Sequence, residues 1–130
     1  MNQSLFQYLF ASSDDFKADP RGYLSNQAGH VFLGFTMITF YCWALDKLDG
    51  YPSQHLAFYL VVVAYLVLWE LLNHGWKGFD TIEDTAYFGA GASTYLFIEM
   101  QWVIDRLFVA LLVICICLGI GTYRRWQDID

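Results

Sequence analysis

Four apolar runs joined by short polar turns constrain the fold of this 130-residue chain more than any other feature. They cover about residues 29–45, 55–73, 85–98 and 107–123. A helix needs about 17–25 residues to cross the hydrocarbon core of a bilayer, and all but the third run reach that length. We therefore predict an all-α, polytopic membrane protein with four transmembrane helices and short loops, or three if the third run is re-entrant.

The composition supports a membrane protein. Hydrophobic residues make up 57% of the chain and charged residues only 15%, whereas a soluble domain carries about 25% charged residues. The 19% of aromatic residues suits side chains at a membrane–water interface. Pro20 and Gly22 are expected to break any helix before the first span. We predict one transmembrane helical bundle over residues 26–126, an N-terminal interfacial segment over 1–25 and a short polar tail over 127–130.

Basic residues predict the orientation of the chain. If four helices cross, both termini and the loop after the second span share one membrane side. That side holds Lys17, Arg21, Lys77, Arg124 and Arg125, and the other side holds Lys47 and Arg106. The positive-inside rule then places both termini in the cytoplasm, with Arg124 and Arg125 as a plain anchor of the last span. The net charge of −6 argues against nucleic acid as a partner and against attraction to anionic lipid headgroups. The apolar runs make the lipid bilayer the expected environment.

The third run is rich in small residues. Ala86/Ala90 and Gly89/Ser93 form small-xxx-small pairs, which let two helix backbones approach closely in lipid. We expect this helix to pack through these residues, inside the bundle or against another subunit. The pattern predicts other membrane protein subunits, or further copies of the chain, as partners.

Polar side chains gather near one membrane face. Between Trp69 and Gly91 there are five acidic or histidine residues that could carry protons or bind a ligand, namely Glu70, His74, Asp80, Glu83 and Asp84. Three pairs with i, i+4 spacing fall at the same end of the predicted bundle: Asn26/His30, Glu70/His74 and Asp80/Asp84. Such a pair lies on one face of a helix, so we expect the three pairs to converge.

Part of this pattern has a structural interpretation. Asp80 with Glu83, or Thr81 with Asp84, has the spacing of a capping box at a helix N-terminus. Glu70 lies about one turn inside the second span, where an ionisable group is costly. Pairing with a histidine would explain Glu70 structurally, and the alternative is a functional site.

A functional site would offer nitrogen and oxygen ligands, which suit Zn, Mn or Fe and permit metal-activated water or a proton relay. The sequence requires no cofactor, and a transition metal is the candidate. The candidate metal ligands are His30, Glu70, His74 and Asp80, with Asp84 as an alternative to Asp80. The candidate catalytic residues are Glu70, His74 and Asp84, and the candidate ligand-binding residues are Asn26, His30 and Tyr87. The spacing matches no established metal motif, so whether the protein is an enzyme stays open.

The order of these motifs resembles that of VanZ-like membrane proteins. Asn26 and His30 in NQAGH match an Asp/Asn-xxx-His that opens one helix, and Glu70 in WELLNH matches a glutamate near the end of the next. Asp80 and Asp84 in DTIED match an Asp-xxx-Asp turn that leads into a glycine-rich motif, here YFGAG. The resemblance covers about residues 26–95, but a glutamine after the glutamate and an asparagine after the second aspartate are replaced or missing. It implies a bacterial inner-membrane protein with a role in glycopeptide-antibiotic resistance or envelope functions.

Two functions follow from these observations. The first is a small accessory membrane protein that packs with a larger membrane complex or with itself. The second is a VanZ-like protein with an interfacial polar, metal or lipid-headgroup site built from His30, Glu70, His74, Asp80 and Asp84. A channel is disfavoured, because no run carries a continuous polar stripe.

Overall fold

The computed structural model describes residues 19–48, 53–99 and 104–127, and the regular structure in these ranges is entirely helical. In chain order the elements are α1 (Pro20–Lys47), α2 (Gln54–Ala64), a π-helical segment (Tyr65–His74) that continues α2 directly, α3 (Phe79–Glu99) and α4 (Ile104–Gln127). The all-α fold class predicted from the apolar runs is therefore confirmed.

Three stretches are long and apolar enough to cross a membrane: Pro20–Lys47, Gln54–Leu72 and Leu107–Gln127. The large apolar side chains on their outer faces are well exposed, for example Phe32 at 71% and Leu72 at 74%. In water such surfaces would be costly, whereas in lipid they meet an apolar solvent. The chain is a helical membrane protein.

Helix α3 does not belong to this apolar set, although it is 21 residues long. Its small and acidic residues lower its hydropathy. It nevertheless runs parallel to α1, since Asp84 bonds to Gln27 near one end and Tyr95 packs against Phe35 further along, with ring centroids 6.4 Å apart. The third run therefore lies alongside α1 within the bundle.

Helix α1 begins earlier than predicted. The Asp19 side chain accepts hydrogen bonds from the backbone N–H groups of Arg21 at 3.0 Å and Gly22 at 2.9 Å, and Pro20 is the first helical residue. The prediction that Pro20 breaks the helix was wrong, because a first-turn N–H has no helical partner and proline loses nothing there. The boundary predicted at residue 25 falls inside α1, while residues 1–18 and the tail after 127 lie outside the described ranges.

Helices α1 and α3 make the closest contact in the bundle. A Cβ atom built on Gly34 would overlap the carbonyl oxygen of Phe88, and one built on Gly91 would overlap that of Val31. Both obstacles are backbone atoms, which cannot move aside, so this helix separation requires glycine at both positions. Ala92, which follows Gly91, is completely buried.

The expectation that α3 packs inside the bundle is met, but through a different face from the predicted one. The predicted contact residues lie beside the α1 contact and are exposed or half-buried (Ala86, Gly89, Ala90 and Ser93). The position of Gly34 on α1 determines which small residues of α3 contact α1. These residues are Gly91 and Ala92. The spacing of small residues in α3 alone does not contain this information.

Candidate functional site

Three ionisable side chains from three different elements converge at one end of the bundle. His30 on α1, Glu70 on the π-helical segment and Asp84 on α3 each offer a ligand atom, and these atoms all lie within 4.8 Å of one another. Glu70 is only 3% exposed, and the side chains of His30 and Asp84 are 12% and 17% exposed. These three residues, with Gln27 and Tyr65, form the inner cluster.

Helix α1 presents a stripe of inward residues with a spacing of three or four, namely Tyr23, Gln27, His30, Gly34 and Ile38. Gln27 is 3% exposed, and its Nε2 donates a 2.7 Å hydrogen bond to Asp84 Oδ1. Its Oε1 is buried without a hydrogen-bond partner. Asn26, predicted to bind ligand, is one position off the stripe and half-buried, so Gln27 takes the place predicted for Asn26.

The π-helical segment brings Tyr65 to Glu70. In an α-helix of 3.6 residues per turn, side chains five residues apart point about 140° apart, whereas i→i+5 bonding aligns them. Tyr65 Oη donates a 2.5 Å hydrogen bond to Glu70 Oε1. The Tyr65 ring stacks on Phe88 with centroids 4.1 Å apart and meets the His30 ring edge-on at 5.9 Å. The tyrosine therefore orients the glutamate while its ring packs in the core.

Asp84 faces into the bundle and does not cap α3. It accepts the Gln27 hydrogen bond, and its Oδ1 lies 3.7 Å from His30 Nδ1, which is buried and has no hydrogen-bond partner. Because α3 begins at Phe79, Thr81 lies inside the helix, where its Oγ1 accepts a bond from the Lys77 backbone N–H at 3.1 Å. The capping interpretation was therefore wrong for Asp84.

Other predicted site residues lie elsewhere. Asp80, a candidate metal ligand, is exposed in the first turn of α3, one turn further out than Asp84. The side chain of His74 lies outside the described part of the structure. Tyr87, a candidate ligand-binding residue, is buried in a second polar cluster beside the first. Among the predicted ligands whose side chains the structure describes, His30, Glu70 and Asp84 are the ones that come together.

That second cluster, which we call the outer cluster, consists of Tyr23, Glu83, Tyr87 and Arg125. Tyr23 Oη donates to Glu83 Oε1 at 2.7 Å and lies 3.2 Å from Tyr87 Oη, so Tyr87 is the donor of that second bond. Arg125 Nη2 lies 3.4 Å from Glu83 Oε2, and its guanidinium carbon sits 3.4 Å above the centre of the Tyr23 ring. The interpretations of Glu83 as a capping residue and of Arg125 as a plain membrane anchor were wrong.

The outer cluster attaches α4 to the bundle. Gly121 is the one buried residue in the described part of α4, and it lies against Tyr23, where a Cβ atom would overlap the phenol oxygen. Arg125 Nη1 also donates to the Gly121 carbonyl at 3.3 Å. Arg125 Nε is buried without a partner, yet the charge of the guanidinium is matched by Glu83. The arrangement is that of a structural ion pair.

The two clusters therefore have different chemistry. The inner cluster places two carboxyl groups and an imidazole together, with a neutral amide and a phenol as hydrogen-bond donors. Two carboxylates close together in apolar surroundings repel each other, and a cation between them would relieve that repulsion. The inner cluster has the chemistry of a cation-binding site.

No protein-family model matches the chain, and no curated protein or solved structure is significantly similar to it. The resemblance to VanZ-like proteins therefore stays a prediction.

Proposed function

We propose that the chain is a small integral membrane protein that binds a cation in the inner cluster, near one membrane face. The observation that carries this proposal is the convergence of His30, Glu70 and Asp84 from three elements to within 4.8 Å. Ionisable groups inside a membrane bundle are costly, and they commonly mark ion or substrate sites.

The surroundings of the two carboxyl groups support binding rather than packing. Gln27 and Tyr65 each donate one hydrogen bond to a carboxyl oxygen and thereby fix its direction. Buried polar groups are normally hydrogen-bonded, so a buried group without a partner calls for an explanation. Gln27 Oε1 and His30 Nδ1 have no hydrogen-bond partner, so an acceptor and a ring nitrogen stay available for a ligand.

Two kinds of cation fit this chemistry. One is a metal ion, and the other is an ammonium group such as that of an aminated lipid headgroup. Either would suit the envelope role that the VanZ-like resemblance implies. We further propose a bacterial inner membrane with both termini in the cytoplasm, because Arg21, Lys77, Arg124 and Arg125 all lie at the cluster end of the bundle. The site would then face the cytoplasmic leaflet.

Cation-dependent stabilisation of the purified protein tests this proposal. A ligand that binds only the folded state at 100 times its Kd stabilises by about 2.7 kcal/mol. The full chain in detergent would be heated with ethanolamine and, separately, with chlorides of Mg²⁺, Mn²⁺ and Zn²⁺. We expect at least one of these cations to raise the melting temperature of the wild type and of Asp80→Asn, but not of Asp84→Asn. Equal shifts in all three proteins, or no shift in any, would refute the proposal.

Asp80→Asn is a matched control. It removes the same charge from the same helix, but at an exposed position outside the cluster. His55→Ala serves the same purpose for His30, since His55 is an exposed residue near the start of α2.

The accessory-protein hypothesis stays a second candidate, and α4 is the feature that favours it. This helix meets Tyr23 through Gly121, while many of its large apolar side chains are exposed. Either lipid or a helix of another subunit can cover them. The molecular mass of the protein–detergent particle, measured by light scattering, separates a monomer from a self-associated form. If the protein is a monomer, any partner subunit must have a different sequence.

A further inference from the structure

The inner cluster also indicates which cation it takes. We propose that His30, Glu70 and Asp84 bind a divalent transition-metal ion, of the Zn²⁺, Mn²⁺ or Fe²⁺ class. This inference rests on the proposed cation site and makes it specific.

The ligand types favour a transition metal over an ammonium group or an alkaline-earth ion. Imidazole nitrogen combined with carboxylate oxygen suits Zn, Fe and Mn, whereas Ca²⁺ takes about six to eight oxygen ligands and Mg²⁺ prefers carboxylates and water. An ammonium group would need acceptors only, and a histidine ring would not be required. His30 Nδ1 lies 3.7 Å from Asp84 Oδ1 and has no hydrogen-bond partner.

The distances are close to those of a metal site. Ligands bound at about 2.0–2.2 Å from one ion lie about 3–4 Å from each other. The separation of His30 and Asp84 is already within that range, and the widest separation in the trio is 4.8 Å. Bringing the widest separation into that range requires a movement of about 1 Å.

Second-sphere hydrogen bonds of the expected kind are present. Metal-binding carboxylates are commonly hydrogen-bonded to neighbouring donors as well. The Gln27 amide donates to Asp84 at 2.7 Å, and the Tyr65 phenol donates to Glu70 at 2.5 Å. Both donors come from side chains that are themselves buried.

Gln27 supplies an independent observation. Its side chain is 97% removed from solvent, since the residue is 3% exposed, and its Oε1 has no partner. An amide oxygen can bind a metal directly or accept a hydrogen bond from a metal-bound water. Three protein ligands leave at least one coordination position for such a water or for an oxygen of a substrate.

Metal binding to the purified full chain tests the inference. The protein would be prepared with an affinity tag that contains no histidine, stripped with a chelator, and titrated with ZnCl₂ and with MnCl₂. We expect one ion per chain in the wild type and in His55→Ala. Affinity should fall more than about 100-fold in His30→Ala and Asp84→Ala, and about 10–100-fold in Gln27→Leu. If His30→Ala does not fold, His30→Gln takes its place.

The outcomes separate this inference from the proposed function. If metal binds equally to His30→Ala and His55→Ala, or does not bind stoichiometrically, the metal assignment is wrong. If ethanolamine still stabilises the wild type in an Asp84-dependent manner, the cation site stands without the metal. If neither cation acts through Asp84, both proposals fail.

Discussion

The inner and outer clusters lie side by side at one end of the bundle, yet different groups lie next to their acidic side chains. Glu83 and Asp84 are consecutive residues of α3. Because consecutive residues of an α-helix point about 100° apart, the two side chains lie in different clusters. Glu83 meets Arg125, whose guanidinium also covers the Tyr23 ring. Asp84 meets a second acid, a histidine and a neutral amide. The Glu83–Arg125 ion pair joins two helices, whereas the closely placed carboxyl groups of Glu70 and Asp84, with His30 beside them, form the site proposed to bind a cation.

Replacing Gly91 should have the largest effect, because both clusters depend on the α1–α3 contact. In Gly91→Ala the new Cβ atom overlaps the Val31 backbone, so the two helices must separate. We expect a loss of at least about 3 kcal/mol in the free energy of unfolding, measured in mixed detergent micelles. Gly29→Ala is the control, since nothing lies within 4 Å of its Cβ position. It should be neutral or stabilise α1 by up to about 1 kcal/mol. Similar stability of the two variants would contradict this packing.

Removing Arg125 should break the outer cluster alone. Arg125→Ala leaves the mostly buried Glu83 without its ion-pair partner and uncovers the Tyr23 ring. The expected loss is about 2–4 kcal/mol in the same unfolding measurement. Arg124→Ala removes the same charge from an exposed neighbour and should change stability by less than about 0.5 kcal/mol. Equal losses would show that Arg125 acts only as a membrane anchor.

Removing the Tyr65 hydroxyl should lower both the stability of the protein and its affinity for the cation. Its effect on stability should be smaller than that of the Arg125 substitution. Tyr65→Phe keeps the ring stacked on Phe88 but deletes the hydrogen bond to Glu70. We expect a loss of about 1–2 kcal/mol in stability together with weaker cation binding. Tyr59→Phe, an exposed tyrosine on the preceding helix, is the control and should change neither quantity. Unchanged cation binding in Tyr65→Phe would show that the Tyr65 hydroxyl does not contribute to the cation site.

The sequence predicts the fold and the end of the bundle that carries the site. Apolar run length identifies the spanning helices, and i, i+4 spacing brings His30, Glu70 and Asp84 to one face. The exact ligand set depends on how each helix is rotated. That rotation is fixed by Gly34 against α3, which turns Gln27 inward in place of Asn26.

The sequence pattern also does not predict the π-helical segment. The i, i+4 spacing of an α-helix pairs Glu70 with His74, whose side chain lies outside the described part of the structure. Tyr65, which donates a hydrogen bond to Glu70, lies five residues away and becomes its neighbour in a π-helix. A tyrosine five residues before an acid, both within one apolar run, is a sequence signal that could have indicated it.

Asp84→Asn is expected to have the smallest effect on stability, and it tests most directly whether the inner cluster is held for a ligand. Without added cation, its free energy of unfolding should lie within about 0.5 kcal/mol of the wild type or above it. The reason is that the amide oxygen still accepts the Gln27 hydrogen bond while the repulsion from Glu70 is gone. The stabilisation that a bound cation gives the wild type and Asp80→Asn should be absent. A loss of about 2 kcal/mol or more in the cation-free protein, with cation stabilisation unchanged, would instead make the inner cluster a packing device like the outer one.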